Sequence, residues 1–288
     1  MEGRPRKGSP VCVKACSPAA DDEGVSVPTL AIVPTYLREQ AELDVLVHCL
    51  VSLQASAPDA QVLIVDDHSP AAPLARLAEQ AAGELGQAFV RKDENSGFAS
   101  TVNVGLEVAR ASGADAVLVN ADIEFTQAGW LDVMRARRDQ HGRPAAVVGA
   151  RLLYPNGLLQ HAGVYFSFLE RGFAHRFHHG PGDLAEALAP CRCPVTGALQ
   201  FIRHDTLVAV GLYDDSFGLG FEDLDYCLRA FAAGLDCIYE PGATAIHHES
   251  LFRGSSNRRI DDMQRRSDAR LREKHAGTDM TAWTPEAL

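Results

Sequence analysis

The sequence predicts an α/β fold in which a mostly parallel sheet is covered by helices on both faces. Three observations lead there. Apolar runs of about four residues alternate with amphipathic stretches long enough for helices, an order that implies parallel strands joined by helical crossovers. Hydrophobic residues make up 46% and charged residues 23% of the 288, an ordinary globular balance with material for a sizeable core. Carboxylates and amides stand directly after the runs, at the carboxyl edge where such a sheet keeps its ligand crevice.

Residues 1–27 are rich in Pro, Gly, Ser, Ala and charge without periodicity, and predict a mobile leader. The folded part begins near Thr29 with a strand over Leu30–Val33, a helix over Ala41–Ala55, a strand over Val62–Val65 and a helix over Leu74–Leu85. A short strand Ala88–Val90, a helix Phe98–Ala111, a strand Ala116–Val119, a helix near Trp130–Gln140 and a strand Ala145–Val148 continue the alternation. After about Arg151 the pattern loosens into Gly-, Pro-, aromatic- and His-rich sequence. A buried run Val195–Ile202, a helix Glu222–Ala233 and a short strand near Ile238 then read as an acceptor-side half built on the same core. The aromatic residues between Tyr154 and Pro194 serve either sugar faces or core packing.

A formal net charge of -11 argues against a general nucleic-acid binder, which needs a basic face for phosphates. The basic residues Arg253, Arg258, Arg259, Arg265, Arg266, Arg270, Arg272 and Lys274 read as a solvated helix face, or as a surface for an anionic lipid or phosphate. No apolar run approaches a transmembrane span and the N-terminus lacks a signal-peptide core, so a cytoplasmic protein is expected, with peripheral contact at the inner membrane surface through the basic helix as an option. Seven scattered cysteines form neither a disulfide framework nor a paired zinc spacing.

Five clusters carry the chemistry. The first strand ends in Val33-Pro34-Thr35-Tyr36 and the second in Asp66-Asp67-His68-Ser69, whose carboxylates suit a base N–H or ribose hydroxyls, or else cap the turn. Asn95 suits a helix cap, and Gly97 lets backbone approach a ligand. The fourth strand ends in Asn120-Ala121-Asp122-Ile123-Glu124, where a carboxylate in mid-crevice suits a divalent cation, Mn2+ or Mg2+, bridging a diphosphate. Glu222, Asp223 and Asp225 open a helix; acids there complement its dipole, yet three so close repel one another unless one is used, and a general base fits. One imidazole of His247-His248 suits completion of a metal site with Asp122, or is structural.

These blocks, in this order and together with Asn103, Thr196-Gly197-Ala198 and Arg203, resemble the family 2 glycosyltransferases of the GT-A fold, in particular their rhamnosyltransferase-like branch. The resemblance runs from about Thr29 to Arg253. It implies a GT-A domain over 28–253, which leaves the leader over 1–27 before it and a helical extension expected over 254–288. It further implies that Pro34, Thr35, Tyr36, Asp66, Asp67, Asn95, Gly97, Asn103, Asn120 and Ala121 line the nucleotide-sugar site. Asp122 would bind the metal as the last acid of the family's Asp-x-Asp motif, whose first acid is Asn120 here, with Glu124 a possible substitute. Asp223 would be the catalytic base, Glu222 and Asp225 would orient the acceptor or a loop, and His247 or His248, with His247 favoured, would add a metal ligand.

The activity so implied is inverting, metal-dependent and non-processive transfer of a sugar from a nucleotide-diphosphate donor to a hydroxyl of a saccharide or lipid-linked acceptor, in cell-wall or polysaccharide biosynthesis. UDP- and dTDP-sugars both fit an acidic base pocket. The alternative is a catalytically silent protein that binds nucleotide sugars or acts as a scaffold; Asn120 favours it and the Glu222-Asp223 pair opposes it. A nicotinamide enzyme or a nucleotidyltransferase would need glycines after the first strand, where Pro34-Thr35-Tyr36-Leu37 stand. Zinc held by His161, His175, His178, His179, Cys191 and Cys193 finds no common ligand spacing. A processive synthase would carry membrane helices and a Gln-x-x-Arg-Trp motif.

Overall fold

The computed structural model describes residues 27–137, 145–167, 172–218, 220–249, 258–278 and 285–287. The expected leader lies, except for residue 27, outside the described residues, as do Cys12, Cys16, Arg253 and the last residues of the helix expected to reach Gln140.

The first half builds strand β1 (Thr29–Thr35), helix α1 (Gln40–Ser56), β2 (Gln61–Asp66), α2 (Ala72–Glu84), β3 (Ala88–Arg91), α3 (Phe98–Ser112) and β4 (Asp115–Val119). A two-residue strand β5 (Ile123–Glu124), helix α4 (Trp130–Arg137) and β6 (Ala145–Leu153) follow. Strands β3, β2, β1 and β4 lie side by side in that order, all parallel. The order reverses between β1 and β4, and a ligand crevice forms at such a reversal, outside the carboxyl ends of the strands.

Alternation along each strand feeds two cores. Ala31 and Val33 face a cluster with Leu46, Leu50 and Leu53 of α1 and Trp130 of α4, while Leu30 and Ile32 face one with Val102, Leu106 and Ala109 of α3. Gly105 permits the second packing: a Cβ there would come within 2.5 Å of the Ile32 side chain.

The second half departs from the expected parallel pattern. The buried run near residue 200 becomes β11 (Leu199–Ile202), inserted antiparallel between β4 and β6. Beyond β6 lie β12 (Asp236–His247), parallel to it, and then β10 (Cys191–Arg192) and β13 (Glu286–Ala287). The short strand expected near Ile238 is thus twelve residues long, with its register broken between Glu240 and Thr244. Pro241 and Gly242 fall in that break, where a central strand tolerates them.

Short strands β7 (Leu159–His161), β8 (Val164–Ser167) and β9 (Gly172–His175), and helices α5 (His204–Ala209) and α6 (Glu222–Ala232), complete this half. The final helix α7 (Arg258–Lys274) is held by Leu271, buried beside Phe217, Leu224 and Leu228, and by Lys274, whose ammonium meets both Asp214 and Asp225. Arg270 also reaches Asp214, Arg265 pairs with Asp262 and Arg272 with Asp268. Much of the basic run is therefore paired with acids of the same chain. Among the described residues, no helix is long and apolar enough to cross a membrane.

Five cysteines, Cys49, Cys191, Cys193, Cys227 and Cys237, are buried free thiols. Among the described residues no group of three or more His, Cys, Asp and Glu side chains is arranged to hold a metal. In the His-rich segment His161 Nδ1 meets His175 Nδ1 at 2.8 Å, and burial, followed by His175, pushes the His161 ring well below its ordinary value.

Candidate active site

The carboxyl edge around β1, β2 and β4 is a scaffold of acids bound to backbone. Asp66, fully buried, accepts hydrogen bonds from the Ser69 amide and hydroxyl and from Arg91 at 2.7 Å. Ser69 Oγ in turn accepts the Leu37 amide at 2.6 Å, which ties the turn after β1 to the turn after β2. Asp67 accepts Lys92 at 2.7 Å, the Ser96 amide at 3.0 Å and the Gly97 amide at 2.9 Å, and so fixes the entry to α3. Gly97 makes this possible with φ 90 and ψ 173, a conformation essentially confined to glycine. Asn95 is exposed and donates to the Asp67 carbonyl at 3.3 Å.

Pro34 and Thr35 end β1, and Tyr36 follows, half-buried. Thr35 Oγ1 is buried and has no hydrogen-bond partner among the described residues. An orphaned hydroxyl at the mouth of a ligand crevice marks a place for a ligand atom or water. Asn103 sits differently: its amide donates to the Tyr213 carbonyl and accepts the Tyr213 amide, both at 2.9 Å. Its side chain clamps the segment leading toward α6.

After β4 the backbone turns through Asn120-Ala121-Asp122, closed by the Ile123 amide donating to the Asn120 carbonyl. Strand β5 then pairs with the end of β12, setting His247 opposite Ile123, and the His248 amide donates to the Asp122 carbonyl at 3.0 Å. This short ladder joins two motifs more than a hundred residues apart. Neighbouring residues at a strand end point to opposite sides. His247 accordingly turns inward, its Nε2 3.0 Å from Asp122 Oδ1, and His248 turns to Glu124 at 2.9 Å. Glu124, with His248 on one oxygen and His48 3.5 Å from the other, is held below the usual carboxylate range chiefly by the His248 hydrogen bond.

Asp122 and His247 are both buried. The hydrogen of the imidazole is assigned by its neighbours. Gln160 Nε2 donates to Glu249 Oε2 at 3.0 Å and to the His247 carbonyl at 3.5 Å, so Gln160 Oε1 faces His247 Nδ1 at 2.6 Å and Nδ1 carries the hydrogen. The Nε2 lone pair then faces a carboxylate oxygen 3.0 Å away, with Asn120 Nδ2 3.4 Å off as a weak donor. Two acceptors so placed need a proton or a cation between them. Adjacent ligands on an octahedral cation with bonds of about 2.1 Å lie about 3.0 Å apart, so the pair fits two ligand positions of such an ion.

The third motif arrives through the turn before β11. The Asn120 amide donates to the Ala198 carbonyl at 2.9 Å, and the preceding Gly197 amide donates to Asp223 Oδ2 at 2.8 Å. One short turn thus links Asp223, in the first turn of α6, to the segment that carries Asp122. Phe221 enters that helix with φ 71, a strained conformation for a bulky side chain and one that gathers at functional sites. Glu222 is buried beside it. Asp225, two positions on from Asp223 and so on another face of the helix, is fully buried against Arg229, Lys274 and His275. It anchors α7 and lies apart from the Asp223 contact.

The structure therefore brings Asp122, His247, Asn120 and, through Gly197, Asp223 together, and gives Asn103 and Asp225 other contacts. Sequence reading missed Gln160, Lys92 and Glu249. Lys92 directly follows a strand, which was a usable signal; Gln160 and Glu249 lie in irregular sequence without one.

The sequence profile of glycosyl transferase family 2 matches residues 30–182. The uncharacterized protein y4gI of Sinorhizobium fredii is 32% identical over 224 residues, which cover 72% of this chain and 24% of that protein. The O-antigen biosynthesis protein RfbC of Myxococcus xanthus is 28% identical over 235 residues, 78% of this chain and 18% of its own. The chain thus spans a quarter or less of these relatives. Among solved structures, GalNAc-T7 with UDP, GalNAc and Mn2+ superposes with a TM-score of 0.58 at 14% identity, over 78% of this chain and 44% of that one. A mannosyltransferase from Pyrobaculum calidifontis in complex with GDP-Man and Mn2+ gives 0.56 at 15% identity, over 89% and 77%. At these identities the likeness establishes the shared α/β architecture.

Proposed function

Because this chain belongs to glycosyl transferase family 2, with the GT-A type of sheet, we propose that it transfers a sugar from a nucleotide-diphosphate donor to a hydroxyl of a saccharide or lipid-linked acceptor, with inversion. The observation that carries the reading is the Asp122–His247 pair at the crevice, two acceptors 3.0 Å apart beside the turn that holds Asp223.

In this reading the nucleotide lies along the wall made by Pro34, Thr35 and Tyr36 and the Asp67–Gly97 scaffold, with the Thr35 hydroxyl available to it. Asp122 and His247 would hold a divalent cation. When bound, the ion offsets charge developing on the departing diphosphate. A nitrogen ligand suits Mg2+ poorly, and the solved structures of similar fold were obtained with Mn2+, so manganese is the metal to test first.

Asp223 accepts the proton of the acceptor hydroxyl as its oxygen attacks the anomeric carbon and the bond to the diphosphate breaks on the opposite face. The Gly197 amide holds one Asp223 oxygen in place for that transfer. Neither Asn120 nor the loss of a first acid there removes the base. O-antigen or other polysaccharide assembly is the process that the relatives suggest.

The test is calorimetric binding of UDP, dTDP, GDP and ADP, each with and without Mn2+, to the wild type and Asp122→Ala. Manganese-dependent binding of one diphosphate, lost in the variant, is expected. Absence of diphosphate binding in every condition would sink the reading.

A further inference from the structure

We propose that Gln160 is a positioning residue for the metal pair: its amide, oriented by Glu249, fixes the His247 ring with hydrogen on Nδ1 and the Nε2 lone pair directed at Asp122. The inference rests on the metal-binding reading above.

Gln160 occupies the middle of β7, which pairs with β6, and it is buried at 5% exposure. Its side chain touches His247 at both ends: Oε1 accepts Nδ1–H at 2.6 Å, and Nε2 reaches the His247 carbonyl at 3.5 Å. An amide alone does not choose a direction, since turning it over exchanges donor for acceptor. The choice is made by Glu249, whose Oε2 accepts Gln160 Nε2 at 3.0 Å and the Tyr154 hydroxyl at 2.9 Å. Glu249 follows the histidine pair by one residue, so the segment that delivers the ligand also delivers the group that sets its tautomer.

A neutral imidazole offers one lone pair. With Nδ1 engaged by an acceptor, that lone pair falls on Nε2, beside Asp122. Groups that bond the far nitrogen of a ligating histidine fix ring orientation and tautomer, and their loss typically weakens metal binding by about 10–100-fold. A carboxylate at 160 would supply the same acceptor to Nδ1 but would oppose the Glu249 carboxylate across 3.0 Å. Exchanging the two residues removes that clash, because a glutamine at 249 donates back to a glutamate at 160. The Tyr154 hydroxyl accommodates the reversal by donating to His178 Nε2, which it already meets at 2.8 Å.

The experiment uses the full chain with histidine-labelled 15N spectra at pH 8 and Mn2+ titrations in the presence of UDP, dTDP or GDP. Wild type and the exchange variant Gln160→Glu/Glu249→Gln should show His247 with hydrogen on Nδ1 and similar manganese affinity. Gln160→Met should lose the single tautomer and bind manganese about 10–100-fold more weakly. A Gln160→Met protein with unchanged tautomer and affinity overturns the proposal, as does an exchange variant that is folded yet restores neither. Should Gln160→Met fail to fold, Gln160→Asn, which keeps the amide but withdraws it, carries the same comparison. If the wild type binds no manganese with any nucleotide, the metal reading fails by itself, and the tautomer spectra still decide whether Gln160 sets the ring.

Discussion

Adding a single methyl group at Gly197 tests whether Asp223 acts as the base. Gly197 has no positive φ, so alanine is admissible to the backbone. The new Cβ would lie 3.1 Å from Asp223 Cβ, 3.1 Å from the Tyr213 hydroxyl oxygen and 3.7 Å from Asp223 Oδ2. Ordinary carbon contacts fall at about 3.5–4.0 Å, so one neighbour must retreat by about half an ångström. Tyr213 is buried and its hydroxyl donates to Gln200 at 2.7 Å, whereas Asp223 is partly exposed at a helix start. The aspartate is the side that yields.

Overpacking of this kind costs about 1–3 kcal/mol of stability. A misplacement of 1 Å at a reacting group costs about 10²-fold in rate, so half of that predicts a loss of about tenfold in kcat. Asp223→Asn, which removes the base, should lose about 10²–10⁴-fold. The assay is release of nucleoside diphosphate from the sugar nucleotide identified by the binding panel, paired with calorimetry of the manganese–diphosphate complex. In Gly197→Ala the complex should form within about twofold of wild type while turnover falls. Equal turnover would refute the assignment of the base. A parallel loss of nucleotide affinity would instead locate the damage at Ala198 and Asn120, one hydrogen bond further on.

Three further outcomes follow from the same contacts. Gly97→Ala meets no atom within 4 Å, so its cost is conformational, about 1–3 kcal/mol, and should appear as a lower melting temperature together with weaker nucleotide binding as the Asp67 contact loosens. Asn103→Ala should leave the diphosphate dissociation constant nearly unchanged and lower kcat or stability, because both amide bonds go to Tyr213; a selective loss of nucleotide affinity would contradict this. Helix α7 should loosen in acid. Burial pushes the Asp225 carboxyl up, but His275, Lys274 and Arg229 outweigh it and hold it low; Lys274 and Ser216 do the same for Asp214. With folded values below the unfolded ones, this stabilisation is complete above about pH 4 and is lost as pH falls through the folded values. Hydrogen exchange over residues 258–274 should therefore rise below about pH 4 before the central sheet opens, and unchanged protection would count against it.

The first half of the fold was legible because each strand from β1 to β4 is a continuous apolar run and each helix has an apolar face, so local period and final position agree. Strand β11 has the same kind of run, yet nothing local reveals that it enters antiparallel between β4 and β6; that depends on partners far away in sequence. The length of β12 was hidden by Pro241 and Gly242, which punctuate a sequence but here occupy only a bulge. At the candidate site, residue type and place in the chain mark Asp122 after β4, Asp223 in the first turn of α6 and the histidine pair at the end of β12. Whether a given polar atom is free could not be read that way. Asn103 is spoken for by one backbone segment and Asp66 by Ser69 and Arg91, and such commitments exist only in three dimensions.

The same consideration explains why this crevice collects so many acids without flying apart. Asp66 and Asp67 are each offset by a cation, Arg91 and Lys92, from the strand alongside. Asp225 is offset by Arg229, Lys274 and His275, and Glu124 meets two imidazoles. Asp122 and Asp223 are different: the partners that hold them are a ring nitrogen and backbone amides, which orient a carboxylate without offsetting its charge as an ammonium would. A buried carboxylate facing a ring nitrogen rather than an ammonium leaves room for an incoming cation. The acids paired with Arg and Lys build the walls, and Asp122 and Asp223, held without such a cation, are the two to which the proposed mechanism gives chemistry. Supplying a counterion should therefore abolish function without harming the fold. Ala121→Lys or Gly197→Lys would confuse that test with steric damage, so Asn120→Lys, at a half-buried position whose side chain already faces His247, is the informative substitution. It should remove manganese-dependent diphosphate binding while leaving the melting temperature near that of wild type, and retention of metal-dependent binding would mean that the uncompensated charge on Asp122 is not what draws the ion.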